Sequence, residues 1–299
     1  EMTSSLVGSE MCIRDRNRKN KKGVIIMPYL AMQDYAKMYY EIHGEGQPII
    51  FMHGWSGSTQ HLKPIIDILK KDYQCICYDQ RGHGASSRPT KGLTLPQLGR
   101  DLRELIEYLD LHDVILVGHS MGGATIYSYV QQFGCDRIKK AVVIDMSPKL
   151  LNDDEWKGGC VQGQYVYADL ESDMELLGQN IADFMWRFYR IVLPAMAALP
   201  EALKDLVAPG LLGVNSEHVL TCLWHSMFVM DYRPIVKDIT VPLLYMIPEL
   251  GLYPQASPDF LKEHSSADVE VIPFPGITHM LPIEVPDKAA AAIKAFIEK

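Results

Sequence analysis

The stretch DVILVGHSMGGATIYSYVQQFG, residues 113–134, changes character halfway along. Val114 to Val117 form an unbroken apolar run of strand length. From Met121 the residues are small and helix-compatible, and Gly134 closes the run. Between them lies Gly118-His119-Ser120-Met121-Gly122, the pattern G-x-S-x-G. The bare pattern is weak, since average Gly and Ser usage places it in roughly one chain in ten of this length. Its position between a buried strand and a helix makes it specific. A sharp strand-to-helix turn leaves little room for side chains, which explains the glycines, and it holds the serine hydroxyl at the carboxyl edge of a sheet.

The same rhythm repeats on both sides. YLAMQD and AKMYYEIHG read as a starting hairpin. PIIFMHG (48–54), YQCICYD (73–79) and IKKAVVID (138–145) are short apolar strands, with helical spacing in HLKPIIDILKKD and LPQLGRDLRELIEYLDL. After a gap, VPLLYMI (241–247), a helix near 258–264, DVEVIPF (268–274) and the helix EVPDKAAAAIKAFIEK resume it. Alternating strands and helices predict an α/β fold, a mostly parallel sheet with helices on both faces. Residues 148–238 carry no convincing strand. They hold helical segments rich in Met and aromatic residues, including Trp156, Trp186 and Trp224. The expected organisation is a core of residues 27–147 and 239–299 with an inserted α-helical cap at 148–238.

Composition sets limits. The chain has 299 residues, is 47 % hydrophobic and carries a net charge of −8. Its Lys and Arg are scattered among acids without a basic stripe, so no nucleic-acid partner is expected. No apolar run approaches the ~18–20 residues of a membrane span. Six cysteines show no CxxC pair and no zinc-like spacing, which predicts reduced, buried thiols and a cytoplasmic setting. Residues 1–26 look foreign to the fold: SSLVGSEMCIRDR resembles translated adapter read-through, and the alternative is a disordered basic leader. On the first reading the natural start is Met27.

A serine hydroxyl needs a neighbouring base to act as a nucleophile. His279, in FPGITHMLPIE, follows the last strand and precedes the last helix, which places it on a loop at the same sheet edge as Ser120. Acyl transfer also needs N–H donors for the developing oxyanion. The Met121 amide, first in the helix after the serine, is one candidate. The Trp55 amide, in the His53-Gly54-Trp55 corner after PIIFM, is the other.

PIIFMHGW, YDQRGHGASS, VGHSMGGA and GITHMLPIEVP resemble, in order, the landmarks of the α/β-hydrolase superfamily, lipase/esterase and haloperoxidase-like branch. The resemblance covers residues 28–147 and 239–299, and the insertion falls where that family carries its cap. It implies Ser120 as nucleophile, His279 as base, and the Trp55 and Met121 amides as oxyanion hole. It makes Asp79 and His83 structural, and it implies no metal and no organic cofactor. The family's usual acid follows the strand after the cap, and that slot falls on Gly251 here. Asp145, at the end of AVVID, is the favoured replacement, because some family members place the acid on that strand. Glu249 is the alternative. The implied activity is cleavage of a small or medium acyl ester, a small-molecule substrate, through an acyl-enzyme. The same triad also serves perhydrolysis, carbon–carbon or amide hydrolysis, and a binding protein on this fold remains a third reading. Trp156 and Trp186 are candidate substrate contacts in the cap, with packing of the cap helices as the alternative.

Overall fold

The computed structural model describes residues 29–299; the expectations for residues 1–26 and for a start at Met27 lie outside that range. Eight strands form one sheet: β1 (Tyr29–Ala31), β2 (Lys37–His43), β3 (Pro48–Met52), β4 (Gln74–Tyr78), β5 (Val114–His119), β6 (Ile138–Ile144), β7 (Leu243–Leu250) and β8 (Val269–Thr278). Their order is β1-β2-β4-β3-β5-β6-β7-β8. β1 and β2 pair antiparallel, as does β2 with β4, and every pairing from β4 to β8 is parallel. Helices α1 (Lys63–Leu69), α2 (Leu95–Tyr108) and α3 (Met121–Phe133) connect the first strands.

The apolar runs in the sequence exist because both faces of the sheet are covered. Side chains alternate across a strand, and the core divides accordingly. Ile50, Leu116, Val143 and Tyr245 pack in one cluster with α2 and α3. Phe51, Ile115, Val117, Val142 and Met246 pack in the other, against α1 and the C-terminal helix. Cys75 and Cys77, two apart on β4, both enter the second cluster. Cys75, Cys77 and Cys160 are buried free thiols; Cys135, just after α3, and Cys222, in the helix Glu217–Val229, are also free but only partly buried.

Residues between β6 and β7 form the helices α4 (Cys160–Gly163), α5 (Tyr167–Gln179), α6 (Ile181–Val192), α7 (Pro194–Ala197), α8 (Lys204–Leu212) and α9 (Glu217–Val229). Asn180 starts α6 by accepting the Ala182 and Asp183 N–H groups on its side-chain oxygen, which satisfies donors that a helix start leaves open. The segment leaves and returns at one point, where Lys149 bridges Asp231 and the Tyr232 amide donates to the Pro148 carbonyl at 2.8 Å. The chain ends with α10 (Ala256–His264), α11 (Leu281–Glu284) and α12 (Pro286–Glu298). Among the described residues no single helix is long and apolar enough to cross a membrane.

Candidate active site

Ser120 stands between β5 and α3 with φ 52° and ψ −123°. This is strained backbone for a residue with a side chain. The strain is held by packing: a Cβ added to Gly118 would lie 2.4 Å from the Gly122 backbone, and one on Gly122 would lie 2.2 Å from the Met52 carbonyl. The turn therefore sits pressed onto β3, and only glycine fits on either side of the serine. The Ser120 amide donates to the Ile144 carbonyl at 2.9 Å, tying the turn to the end of β6.

Asp145 follows β6 in a similar strained conformation, φ 47°, and is fully buried. One carboxylate oxygen accepts the His279 Nδ1–H at 2.6 Å and the Leu252 amide at 2.9 Å. With Nδ1 donating to a carboxylate, the neutral His279 ring carries its lone pair on Nε2, the tautomer a base requires. Ser120 and His279 line one small cavity of about 30 Å³, together with Gly54, Trp55, His61, His119, Phe188, Tyr189 and Val192. Ser120 Oγ makes no hydrogen bond to His279 in this resting geometry; such bonds are often long before substrate binds.

Gly251, the slot that carries the acid in most of the resembled family, lies directly on Asp145. A Cβ there would stand 2.6 Å from the Asp145 carboxylate oxygen. Glu249 is exposed at the end of β7 and accepts the Gly276 amide of β8 at 2.7 Å, and it makes no hydrogen bond to His279.

Gly54 is in contact with Ser120, since a Cβ on it would be 3.1 Å from the Ser120 Cβ. That contact brings the His53-Gly54-Trp55 corner beside Ser120. Among the described residues neither the Trp55 nor the Met121 amide has a hydrogen-bond acceptor, leaving both donors free beside the serine. The corner is braced from below. His53 accepts the Gln80 amide at 2.9 Å and donates to the Gly54 carbonyl at 2.7 Å, while His83 accepts the Ser56 amide at 3.1 Å. Burial pushes both rings down to about 3, so they stay neutral scaffolding. Asp79 accepts the Thr59 and Ala85 amides, each at 2.7 Å, and ties the loops after β3 and β4 together.

His119 was not singled out by sequence reasoning. Its Nε2–H donates to the His279 carbonyl at 2.8 Å, and the two rings lie 4.7 Å apart. It anchors the backbone of His279, and burial holds the His119 ring well below the usual histidine range. The position before the serine was visible in the pattern; the cross-chain bond was not.

Trp156 and Trp186 do not join this group. Trp156 is buried against Phe260, with its N–H donated to the Lys149 carbonyl. Trp186 is buried too, donating its N–H to Glu201 with the Arg190 guanidinium over its ring. Neither lines the Ser120 cavity. The aromatics that do are Trp55, Phe188 and Tyr189; on α6 the cavity is met by residues 188, 189 and 192, while Trp186 is buried elsewhere.

Glu41, His43 and Cys77 bring donor atoms within 4.8 Å of one another on β2 and β4. Both Glu41 oxygens are already bonded, to the Tyr39 hydroxyl and to His43, and burial raises the Cys77 thiol far above its ordinary value. The cluster is satisfied internally and lies outside the Ser120 cavity.

Residues 47–190 match the family model for the alpha/beta hydrolase fold. A putative non-heme chloroperoxidase from Synechocystis sp. is 39 % identical over 214 residues, covering 69 % of this chain and 75 % of that protein. A non-heme haloperoxidase from Rhodococcus erythropolis is 34 % identical over 130 residues, 43 % of this chain and 47 % of that relative, so this match spans about half its length. A bifunctional esterase/perhydrolase from Acinetobacter calcoaceticus is 26 % identical over 283 residues, 91 % of this chain and 99 % of the relative. Among solved structures, an esterase from Exiguobacterium antarcticum superposes with a TM-score of 0.77 at 22 % identity, covering 91 % and 99 % of the two chains, a likeness of fold. With its parallel sheet, its serine turn and these matches, the chain belongs to the α/β-hydrolase fold family.

Proposed function

We propose that this chain is a serine hydrolase that cleaves small acyl esters through Ser120, His279 and Asp145. The observation that carries the reading is the 2.6 Å bond from His279 Nδ1 to buried Asp145, beside the cavity that holds Ser120. Ser120 Oγ attacks the acyl carbon as its proton passes to His279 Nε2. Asp145 stabilises the imidazolium that forms. The tetrahedral oxyanion is received by the Trp55 and Met121 N–H groups. His279 then gives its proton to the departing alkoxide, leaving an acyl-serine. Water attacks that ester, its proton goes to His279, and the carboxylic acid leaves as Ser120 recovers its hydrogen. Residues 148–238 act as a cap that closes this chamber, with 27–147 and 239–299 as the core.

A second reading is perhydrolysis, favoured by the relatives that carry haloperoxidase and perhydrolase names. Hydrogen peroxide replaces water in the second step, giving a peracid and the same free serine. Hydrolysis of p-nitrophenyl acetate by wild type and Ser120→Ala, side by side, tests the shared first step. Turnover is expected in wild type and a loss of at least about 1,000-fold in the variant. Equal rates would remove Ser120 from the mechanism. Peracetic acid released when peroxide is added to wild type would select the second reading for the second step.

A further inference from the structure

Beside the Ser120 cavity lies a larger, partly open one of about 310 Å³ among α4, α5, α6 and α9, lined by apolar Tyr165, Phe184, Trp224 and Phe228 and by charged Asp173 and Arg187. Among the described residues, Phe188 alone lines both cavities. Its ring meets Trp55 edge-on at 5.5 Å and Trp224 edge-on at 5.1 Å, and it stacks parallel to Phe184 at 6.2 Å. Trp55 is itself fixed, its indole N–H donated to the Leu220 carbonyl at 3.0 Å. Next to Phe188, the Tyr189 hydroxyl bonds Ser56 Oγ at 3.0 Å and pins α6 to the loop beside Trp55. The ring is therefore held on several sides as a wall between two chambers. On the nucleophile side, about 30 Å³ gives room for roughly two waters, which suits a two- or three-carbon acyl group.

On the serine-hydrolase reading above, we infer that Phe188 sets acyl-chain length. It confines the wild type to esters of short acids, of the acetyl and propionyl class, and closes off a second chamber whose aromatic side has room for a longer chain. Removing the ring joins the chambers. Four further methylenes, the difference between acetyl and hexanoyl, would then be buried among aromatic side chains.

The test is kcat/KM for p-nitrophenyl acetate, butyrate, hexanoate and octanoate with wild type, Phe188→Ala and Phe188→Leu. Wild type should decline steadily from acetate to octanoate. Phe188→Ala should raise the hexanoate-to-acetate ratio by about 10- to 200-fold, the upper value being what four buried methylenes supply. Phe188→Leu should fall between the two.

Covalent labelling reads the same wall without turnover. With a p-nitrophenyl alkylphosphonate, Ser120 Oγ bonds to phosphorus, its proton passes to His279 and p-nitrophenolate leaves. Wild type should label at least 10-fold faster with the ethyl than with the hexyl reagent, and Phe188→Ala should level the two. Equal wild-type labelling by both reagents overturns the inference even if neither variant folds. Folded variants with unchanged chain preference overturn it too, while leaving the serine mechanism standing. Failure of both reagents to modify Ser120 would bring down the nucleophile assignment and this inference with it.

Discussion

Two carboxylates compete for the role beside His279, and at the scale of single residues their surroundings separate them. Asp145 is buried, accepts the Leu252 amide on the same oxygen that meets His279, and sits in a backbone conformation that aims it across the sheet edge. Glu249 spends its carboxylate on the Gly276 amide in the open. Under the proposed mechanism Asp145→Asn should lower kcat by about 10⁴-fold with little change in KM, the scale seen when a triad acid becomes an amide. Glu249→Gln should leave kcat within a few-fold. Steady-state kinetics on both variants decides, and the opposite ranking would transfer the role to Glu249. Chain order and the strand-to-helix context made Ser120 and His279 candidates from sequence alone, since each needs only its place after a strand. The two acids could not be separated that way, because what distinguishes them is a contact between β6 and the loop after β7. Gly251 is the sequence's trace of that contact: an empty position whose meaning depends on the carboxylate it makes room for.

Between elements, the loop after β4 is tied to α2 by a buried ion pair. Arg81 donates to both oxygens of Asp101, at 2.8 and 2.6 Å, and reaches Asp34 with its remaining nitrogen. Gln97, one turn earlier on α2, also bonds Asp101 at 2.9 Å. Taking Arg81 away strands a carboxylate that burial already disfavours, raising its pKa. Arg81→Met should cost about 3–5 kcal/mol, whereas replacing both partners with apolar residues should cost much less. Urea unfolding of Arg81→Met and of Arg81→Met/Asp101→Leu reads the difference; equal losses would mean the stranded charge is not the cause. The strands and helices around this pair were legible in the sequence because parallel strands buried on both faces read as plain apolar runs. The helical segment was legible only as helical. Which residue of α6 meets the Ser120 cavity is a matter of packing: Trp186 is buried with its N–H on Glu201, and Phe188 two residues on lines the cavity.

Across the whole molecule, several histidines have been turned into neutral building blocks, and this gives stability a definite pH dependence. His53 and His83 are buried with values near 3, and His119 and His61 are lowered as well, all chiefly by loss of solvation. An unfolded histidine titrates near 6.5. Between that value and about 3 the unfolded chain therefore binds protons that the folded chain refuses. Stability is complete above 6.5 and falls as the pH drops, by about 1.4 kcal/mol per pH unit for each fully neutral ring. Most carboxylates are still ionised in both states between pH 6.5 and 5, so the histidines dominate that interval. Urea midpoints should be level from pH 8 to 7 and then decline steeply toward pH 5. A flat profile down to pH 5 would mean the rings gain protons without unfolding, and would contradict their role as neutral acceptors of the Gln80 and Ser56 amides. Because those same rings brace the corner that carries Trp55, acid should release the Trp55 amide from its place beside Ser120 as the fold loosens. Under the proposed mechanism, ester turnover should then fall in step with structure as the pH drops below 6, and circular dichroism beside the rate at each pH checks it; turnover lost while the spectrum stays native would separate the two.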